Sequence, residues 1–537
     1  MPALPDSGNS VVSLAEASRF LAQATFGADY ETIEAVSRAG YETWLEYQFS
    51  IPTGYHQFAV PALAVPVLDG DLEDEEIEYR WAWWEQGMKS PDTLRQRMAF
   101  ALSEILVVGD VTDVLEDSPE GLAAYYDVLL DGAFGNYRDV LYRVSTHSVM
   151  GHWLSHAKNQ PTDVSLNRFP DENYARELMQ LFSIGLYELN QDGSRKLDAN
   201  GQPIPTYDNR DITELARVFT GMTYQVPLDD EGEPDGDVSQ IQTIQDYLNV
   251  EPIAITGPMF QFAPMHEGGA KSFLGTTIPG GSIEMDVRDA VDVIFNHPNV
   301  GPFIGYRLIQ RLVKSNPSPG YVSRVAAAFN DNGSGVRGDM KAVIRAILLD
   351  PEARDLSYLD EPHHGMLREP YVRYIHLCRA FNAVTSSGAF RNYGFPGTFG
   401  QFPMHSPSVF NFFLPDHRPQ GPIADAGLVA PEFQITTATT TVSTINFWGS
   451  AIRGELMDID GDQASLDLSD EIALVNDLPA LIARLDIILT RGALSAEAEE
   501  IIQRTLRQAR DDNATDQEVV ELALYLFLNS PDFAVLR

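Results

Sequence analysis

The sequence predicts an all-α protein: a large multi-helical array with a small β-hairpin near residues 186–207 and long ordered loops. Apolar residues recur at helical spacing in run after run, whereas alternation with period two is scarce. The 537 residues are 44% hydrophobic and 21% charged, the balance of a chain that buries a sizeable core rather than a disordered one. One helical body is expected over 1–537, with loop excursions at 225–285 and 386–435.

The first helix is read in "SLAEASRFLAQATFG", where Ser13 and Glu16 fit a capping box and Phe20, Leu21 and Ala24 supply an apolar stripe. Periodic runs follow at "DTLRQRMAFALSEILVV" and "YRDVLYRVSTHSVMGHWLSH". In "PDENYARELMQLFS" a helix opens at Asp171, with Tyr174, Ala175, Leu178, Leu181 and Phe182 on one face and Glu172, Arg176, Gln180 and Ser183 opposite. Asp192-Gly193 between two extended runs is a hairpin signature. Helical runs resume at "ITELARVFTGM", "DAVDVIFNHPNVGPFIGYRLIQRLV", "YVSRVAAAFND", "MKAVIRAILL" and "REPYVRYIHLCRAF", and again from Ser469 to the end. Pro227 to Gln240 reads as an acidic, solvated excursion. Ser386 to Pro422 is too rich in Phe to be a flexible linker and is expected to pack over the helices. "DIDGD", Asp458 to Asp462, lacks the spacing of a calcium loop.

Charge excludes one partner class. With 37 basic against 77 acidic residues the formal charge is −40, so a nucleic-acid backbone is repelled over most of the surface. A lone Cys378 rules out an intramolecular disulfide and any cysteine-based metal site. The first residues have no basic segment followed by an apolar one, and no apolar run reaches the ~18 residues of a transmembrane helix.

The ordered set "RFLAQATFG", "LRQRMAFALSEILVV", "PDENYARELMQLFSIGLYELNQDG", "PTYDNRDITELARVFTGMTY", "GVRGDMKAVIRAILLDPEAR" and "SVFNFFLPDHRPQG" closely resembles the bacterial domain-of-unknown-function 1800 family over nearly the whole chain. The resemblance implies a mostly helical, periplasmic or secreted protein, with a partner from a neighbouring family that looks like sulfatases and phosphatases. The chain shows no signal peptide, which leaves a cytoplasmic location open.

Asp171, Glu172 and Arg176 are explained by helix-end electrostatics, the last two as an i, i+4 pair worth about 0.3–0.5 kcal/mol. Asn173 and Glu177 instead border the apolar face, where a carboxylate must find a partner or a proton. Glu177 reads first as an inter-helix hydrogen-bonding strut, and among functional residues it is the leading candidate for a catalytic base or a metal ligand. His152 and His156 have metal-ligand spacing but lack the glutamate of a zincin, and read as surface or cap residues. The resemblance favours His147 as the histidine to hold a divalent metal with Glu177. It also singles out His266 and Lys271 on the "MHEGGAKSFLG" turn, as an acid-base group and a positive charge for an anionic group. His405 and Asn411, among phenylalanines, suit an amphipathic ligand such as a sugar, and join Asn173 and Arg176 as ligand-binding candidates. No GxSxG or HExxH occurs, and "GDMKA" is not a phosphate-binding loop. Two functions follow as expectations: an exported or envelope-associated accessory protein that binds a partner protein or polysaccharide, and a hydrolase or metal-dependent enzyme built from Glu177, His147 and His266.

Overall fold

The computed structural model describes residues 11–63, 74–226, 241–250, 253–386, 388–390, 396–454 and 464–537. The protein is 56% helical, and the strands among the described residues are two- or three-residue pieces joined in antiparallel pairs, so the all-α expectation holds. Helix starts follow local chemistry. Ser13, Asp208 and Thr515 each close a capping box, with the side chain accepting a first-turn amide and the acid three residues on reaching back.

The middle of the molecule is the Pro119–Ala133 helix, "PEGLAAYYDVLLDGA", buried on almost every side. Apolar residues all round a helix leave it no solvent face, so neighbours enclose it: Thr93–Ser103, Tyr137–Thr146 and His56–Leu63. Gly132 sets one approach distance, since a Cβ there would stand 2.3 Å from Val140 Cγ2. Val300–Leu312, Pro319–Asn330 and Met340–Leu348 pack in succession beside this centre. Buried tyrosines tie segments together by donating to distant backbone carbonyls: Tyr125 to Leu106 at 2.7 Å, Tyr137 to Phe182 at 2.7 Å and Tyr321 to Ile347 at 2.6 Å. One buried apolar cluster continues from Ala17 to Phe533. The last strand, Val535–Leu536, pairs with Met366–Leu367.

The hairpin expected at 186–207 is more elaborate than one turn. Bridges join Leu189 to Arg195, Leu197 to Pro203 and Tyr187 to Pro205, so three extended segments each pair with the other two. The helix before it is shorter than the sequence suggests, running Asn173–Gln180. Beyond it Phe182 N–H reaches Glu177 O at 3.1 Å, and Gly185 N–H reaches Met179 O at 2.9 Å with Gly185 at φ +71°. That left-handed residue stops the helix. Ser183, expected on the polar face, is buried and donates to the Leu178 carbonyl.

The described part of the 225–285 excursion contains one small antiparallel pair, Lys271–Phe273 with Thr276–Ile278, and its Phe260–Gln261 strand pairs with Met222–Thr223 just before it. The acidic stretch 227–240 and Asp458 to Asp462 lie outside the described residues. In the 386–435 excursion Phe399, Phe402 and Phe413 are buried, so this loop is packed down by its aromatic rings. No helix of the described residues is long and apolar enough to cross a membrane.

Candidate functional site

Glu177 is 6% exposed, and its Oε2 is buried without a hydrogen-bond partner among the described residues. Burial raises its pKa, against the pull of Arg176. It is thus neither an inter-helix strut nor a saturated ion pair. Asn173 is exposed, and its amide caps onto Asp171 Oδ1 at 2.8 Å. Arg176 pairs with Glu172 at 3.2 Å on the surface, as the spacing predicts. No hydrogen bond or ion pair among the described residues links this group to His147 or His266.

His147 breaks the long run into Tyr137–Thr146 and Ser148–Trp153 and caps the second helix. Its Nδ1 accepts the Val149 N–H at 3.3 Å, which places the ring proton on Nε2 and leaves no lone pair for a metal. Burial drives its pKa down to about 3, keeping the ring neutral. His152 is shared between Tyr224 and Thr112. His156, expected at the surface, is fully buried: its Nε2 meets Ser145 O at 3.0 Å and the ring stacks on Tyr174. An apolar wall of aromatic rings outweighs the polarity of one imidazole. Among the described residues no three His, Cys, Asp or Glu side chains gather to hold a metal.

His266 and Lys271 do come together, on Asp286. One carboxylate oxygen, Asp286 Oδ2, meets both His266 Nε2 at 3.0 Å and the Lys271 ammonium. Lys271 also donates to the carbonyls of Glu267 at 2.7 Å and Gly269 at 3.2 Å. An ammonium has three donors and all three are used. His266 Nδ1 lies 2.9 Å from Thr220 O, so both ring nitrogens are engaged as well. Glu267 is tied to Arg217 at 2.6 Å and to the Thr162 amide at 2.9 Å. These groups lock the turn to the Ile283–Phe295 helix.

His405 and Asn411 anchor their loop. His405 Nδ1 meets Asp110 Oδ1 at 2.5 Å, and Asn411 Nδ2 donates to Glu104 Oε1 at 3.1 Å. Beneath them is a buried ionic cluster that sequence reading missed. Glu104 pairs with Arg311 at 3.4 Å, Gln401 donates to Glu369 at 2.6 Å, and Arg97 donates to the Arg311 carbonyl. Arg97, Glu369 and Glu432 retain buried atoms with no hydrogen-bond partner among the described residues. Burial, then repulsion from Glu104, pushes Glu369 well above the carboxylate range. Burial pushes Glu432 up to about 8 against the pull of Arg311 and Arg97. Three carboxyls against two guanidinium groups become neutral when one carboxyl keeps its proton. The signal was present as single charges inside apolar runs, but the partners lie too far apart in sequence to pair by spacing.

A cleft of about 650 Å³ lies between the Pro119–Ala133 and Tyr137–Thr146 helices, the Thr256 to Met259 segment and the start of the His56–Leu63 helix. His147 lies in its wall. Its aromatic surface is Tyr55, Tyr142 and Phe58, the last 75% exposed. Asp127 and Asp131, four apart on the central helix, share one face toward it. Asp131 accepts the Tyr55 hydroxyl at 2.6 Å and Arg143 at 2.8 Å. Asp127 accepts the His56 amide at 2.8 Å and the Gln57 amide at 3.2 Å, and burial raises it to about 7 despite those bonds. A Gly-x-Gly-x-x-Gly string, Gly333 to Gly338, joins helix to helix and is held by Asp331 and Asn332, so it lacks the preceding strand of a dinucleotide site.

The family model described as "Protein of unknown function (DUF1800)" matches residues 19–535. No curated protein and no solved structure matches the chain significantly. Matched from its first helix to its last strand, the chain belongs to the DUF1800 family.

Proposed function

We propose that the protein is a binding protein, an exported or envelope-associated accessory factor whose 650 Å³ cleft takes an uncharged or amino-bearing polysaccharide chain. The observation that carries this reading is the lining: the rings of Tyr55, Phe58 and Tyr142 beside the carboxylates Asp127 and Asp131. Sugar rings present apolar faces that stack on aromatics and hydroxyls that hydrogen-bond to carboxylates. Arg143 is the one basic residue of a wall that also carries Asp127, Asp131 and Glu284, so an anionic polysaccharide is disfavoured. A partner-protein segment is the other occupant the size admits, and the ring-and-hydroxyl chemistry favours the saccharide.

Titration calorimetry with a neutral glucan oligomer, a chitosan oligomer and an oligogalacturonate tests this. Binding of either of the first two is expected, with no binding of the third, and Phe58→Ala should weaken it about tenfold, the loss of one ring contact. No binding of the neutral or cationic oligomers, or binding indifferent to both Phe58→Ala and Tyr142→Ala, sinks the proposal. Asp127, raised to about 7 inside the cleft, favours a second reading as a hydrolase with this residue as proton donor. New reducing ends in the same mixtures, abolished by Asp127→Asn, would establish it over simple binding.

A further inference from the structure

Arg373, on the first turn of the Pro370–Ala380 helix, lines a separate cavity of about 230 Å³ bounded by the Ala438–Ile452 helix and the Asn529 to Ala534 turn. No aspartate or glutamate lines this cavity. Arg19, Arg379 and Arg491, which also lack an acid partner, are satisfied by carbonyls, whereas Arg354 and Arg368 keep buried nitrogens without a partner among the described residues. Arg19 donates to the carbonyls of Ala353 and Arg537, Arg379 to those of Gly87 and Met88, and Arg491 to those of Leu489, Asp532 and Val535. The Arg373 guanidinium has no such bond and no ion pair among the described residues, and its Nε is shut off from solvent without a partner. Burial alone pulls its pKa down to about 10, with no carboxylate to oppose it. Arg373 is half-buried overall, and in a chain with 77 acidic against 37 basic residues its guanidinium borders the cavity without a counter-charge among the described residues.

The rest of the lining defines what would pair with it. Thr440 and Thr444 stand on the wall with their hydroxyls donating to the carbonyls of Ile435 and Thr440, each at 2.7 Å, and a hydroxyl can rotate to donate elsewhere. Ile445, Trp448 and Leu528 give the lining its apolar part, beside the polar Thr436, Thr441, Asn529 and Ser530. The volume falls below the ~300 Å³ at which drug-sized sites begin, so the ligand is small or is a single chain end. We propose that this cavity is a carboxylate site: the Arg373 fork binds a monocarboxylate carrying a short apolar body, supplied by a free short-chain acid or by the C-terminus of a peptide ending in an apolar residue. A planar guanidinium matches a carboxylate through two parallel bonds, and the apolar wall excludes a fully hydrated anion.

Hexanoate, inorganic phosphate, a short peptide ending in leucine and the same peptide as its C-terminal amide are titrated into the full-length protein by calorimetry, with melting temperature read in parallel. Saturable binding of hexanoate or of the free-acid peptide is expected, with a rise in melting temperature, and no binding of phosphate or the amide. Hexanoate binding alone assigns a free acid, whereas tighter binding of the peptide assigns a chain terminus. Arg373→Met should reduce affinity at least tenfold while leaving the ligand-free protein as stable as before, since it removes a charge that has no partner. Thr444→Val, isosteric and folded, should weaken binding by a smaller factor. The proposal is overturned if neither carboxylate binds, if phosphate binds instead, or if affinity is unchanged in both variants.

Discussion

Two buried ionic centres hold this protein together in opposite ways. In the knot around Asp286, the three donors of Lys271 and both nitrogens of His266 meet acceptors. Under the 386–435 loop, Arg97, Glu104, Arg311, Glu369 and Glu432 bring three acids against two bases, and several of their atoms have no partner among the described residues. A satisfied centre is held rigid by its paired donors and acceptors. An unsatisfied one has to hold a proton, so its stability depends on pH. Chemically expressive residues are therefore poor guides to function here when they are saturated.

The comparison breaks first at Asp286. Asp286→Ala leaves the fully buried Lys271 without its carboxylate and should cost about 3–5 kcal/mol, read from the urea midpoint. A loss below about 1 kcal/mol would show that the knot contributes little. Glu432→Gln addresses the other centre. The folded carboxyl keeps its proton up to about pH 8, whereas an unfolded one releases it near ~4.3, so the folded state binds more protons in between and wild-type stability falls as pH rises through that window. The glutamine variant should melt above wild type at pH 8.5, with the gap closing toward pH 4; parallel melting curves would mean Glu432 is not the group that titrates. Asn411→Ala removes the amide that donates to Glu104 and should cost about 1–3 kcal/mol, detectable in the same denaturation series. The smallest effect is expected from Glu177→Gln: stability unchanged or raised by about 0.5 kcal/mol at pH 7, because the carboxyl it removes has a buried oxygen with no partner. A large loss there would return Glu177 to the status of a structural strut.

Helices and caps were readable because their causes are local. The Ser13 and Glu16 box forms as the spacing requires, with Glu16 N–H meeting Ser13 Oγ at 3.2 Å, and the Asp192-Gly193 turn closes a hairpin where the dipeptide predicts it. The sites were less readable. His266 and Lys271 share a turn in the sequence, yet the residue that both of them meet, Asp286, lies in the next helix and gave no sign of it. Glu177 and His147 were expected to meet, but each answers to its own surroundings: a helix end for one, a helix junction for the other. Asp127 and Asp131 went unnoticed because i, i+4 acids on a helix are ordinarily solvated, and only the packing of the central helix turns them toward a cleft.

The sequence by itself determined the helical class, the positions of caps and turns, the net charge of −40 and the exclusion of an intramolecular disulfide, since each depends on residues within one or two turns or on composition alone. Tertiary structure alone decided that Arg97, Glu104, Arg311, Glu369 and Glu432 meet, and that Arg373 meets no acid among the described residues. The physical reason is desolvation. Whether a charge is solvated, paired or stranded is set by which segments close over it, and those segments lie hundreds of residues away.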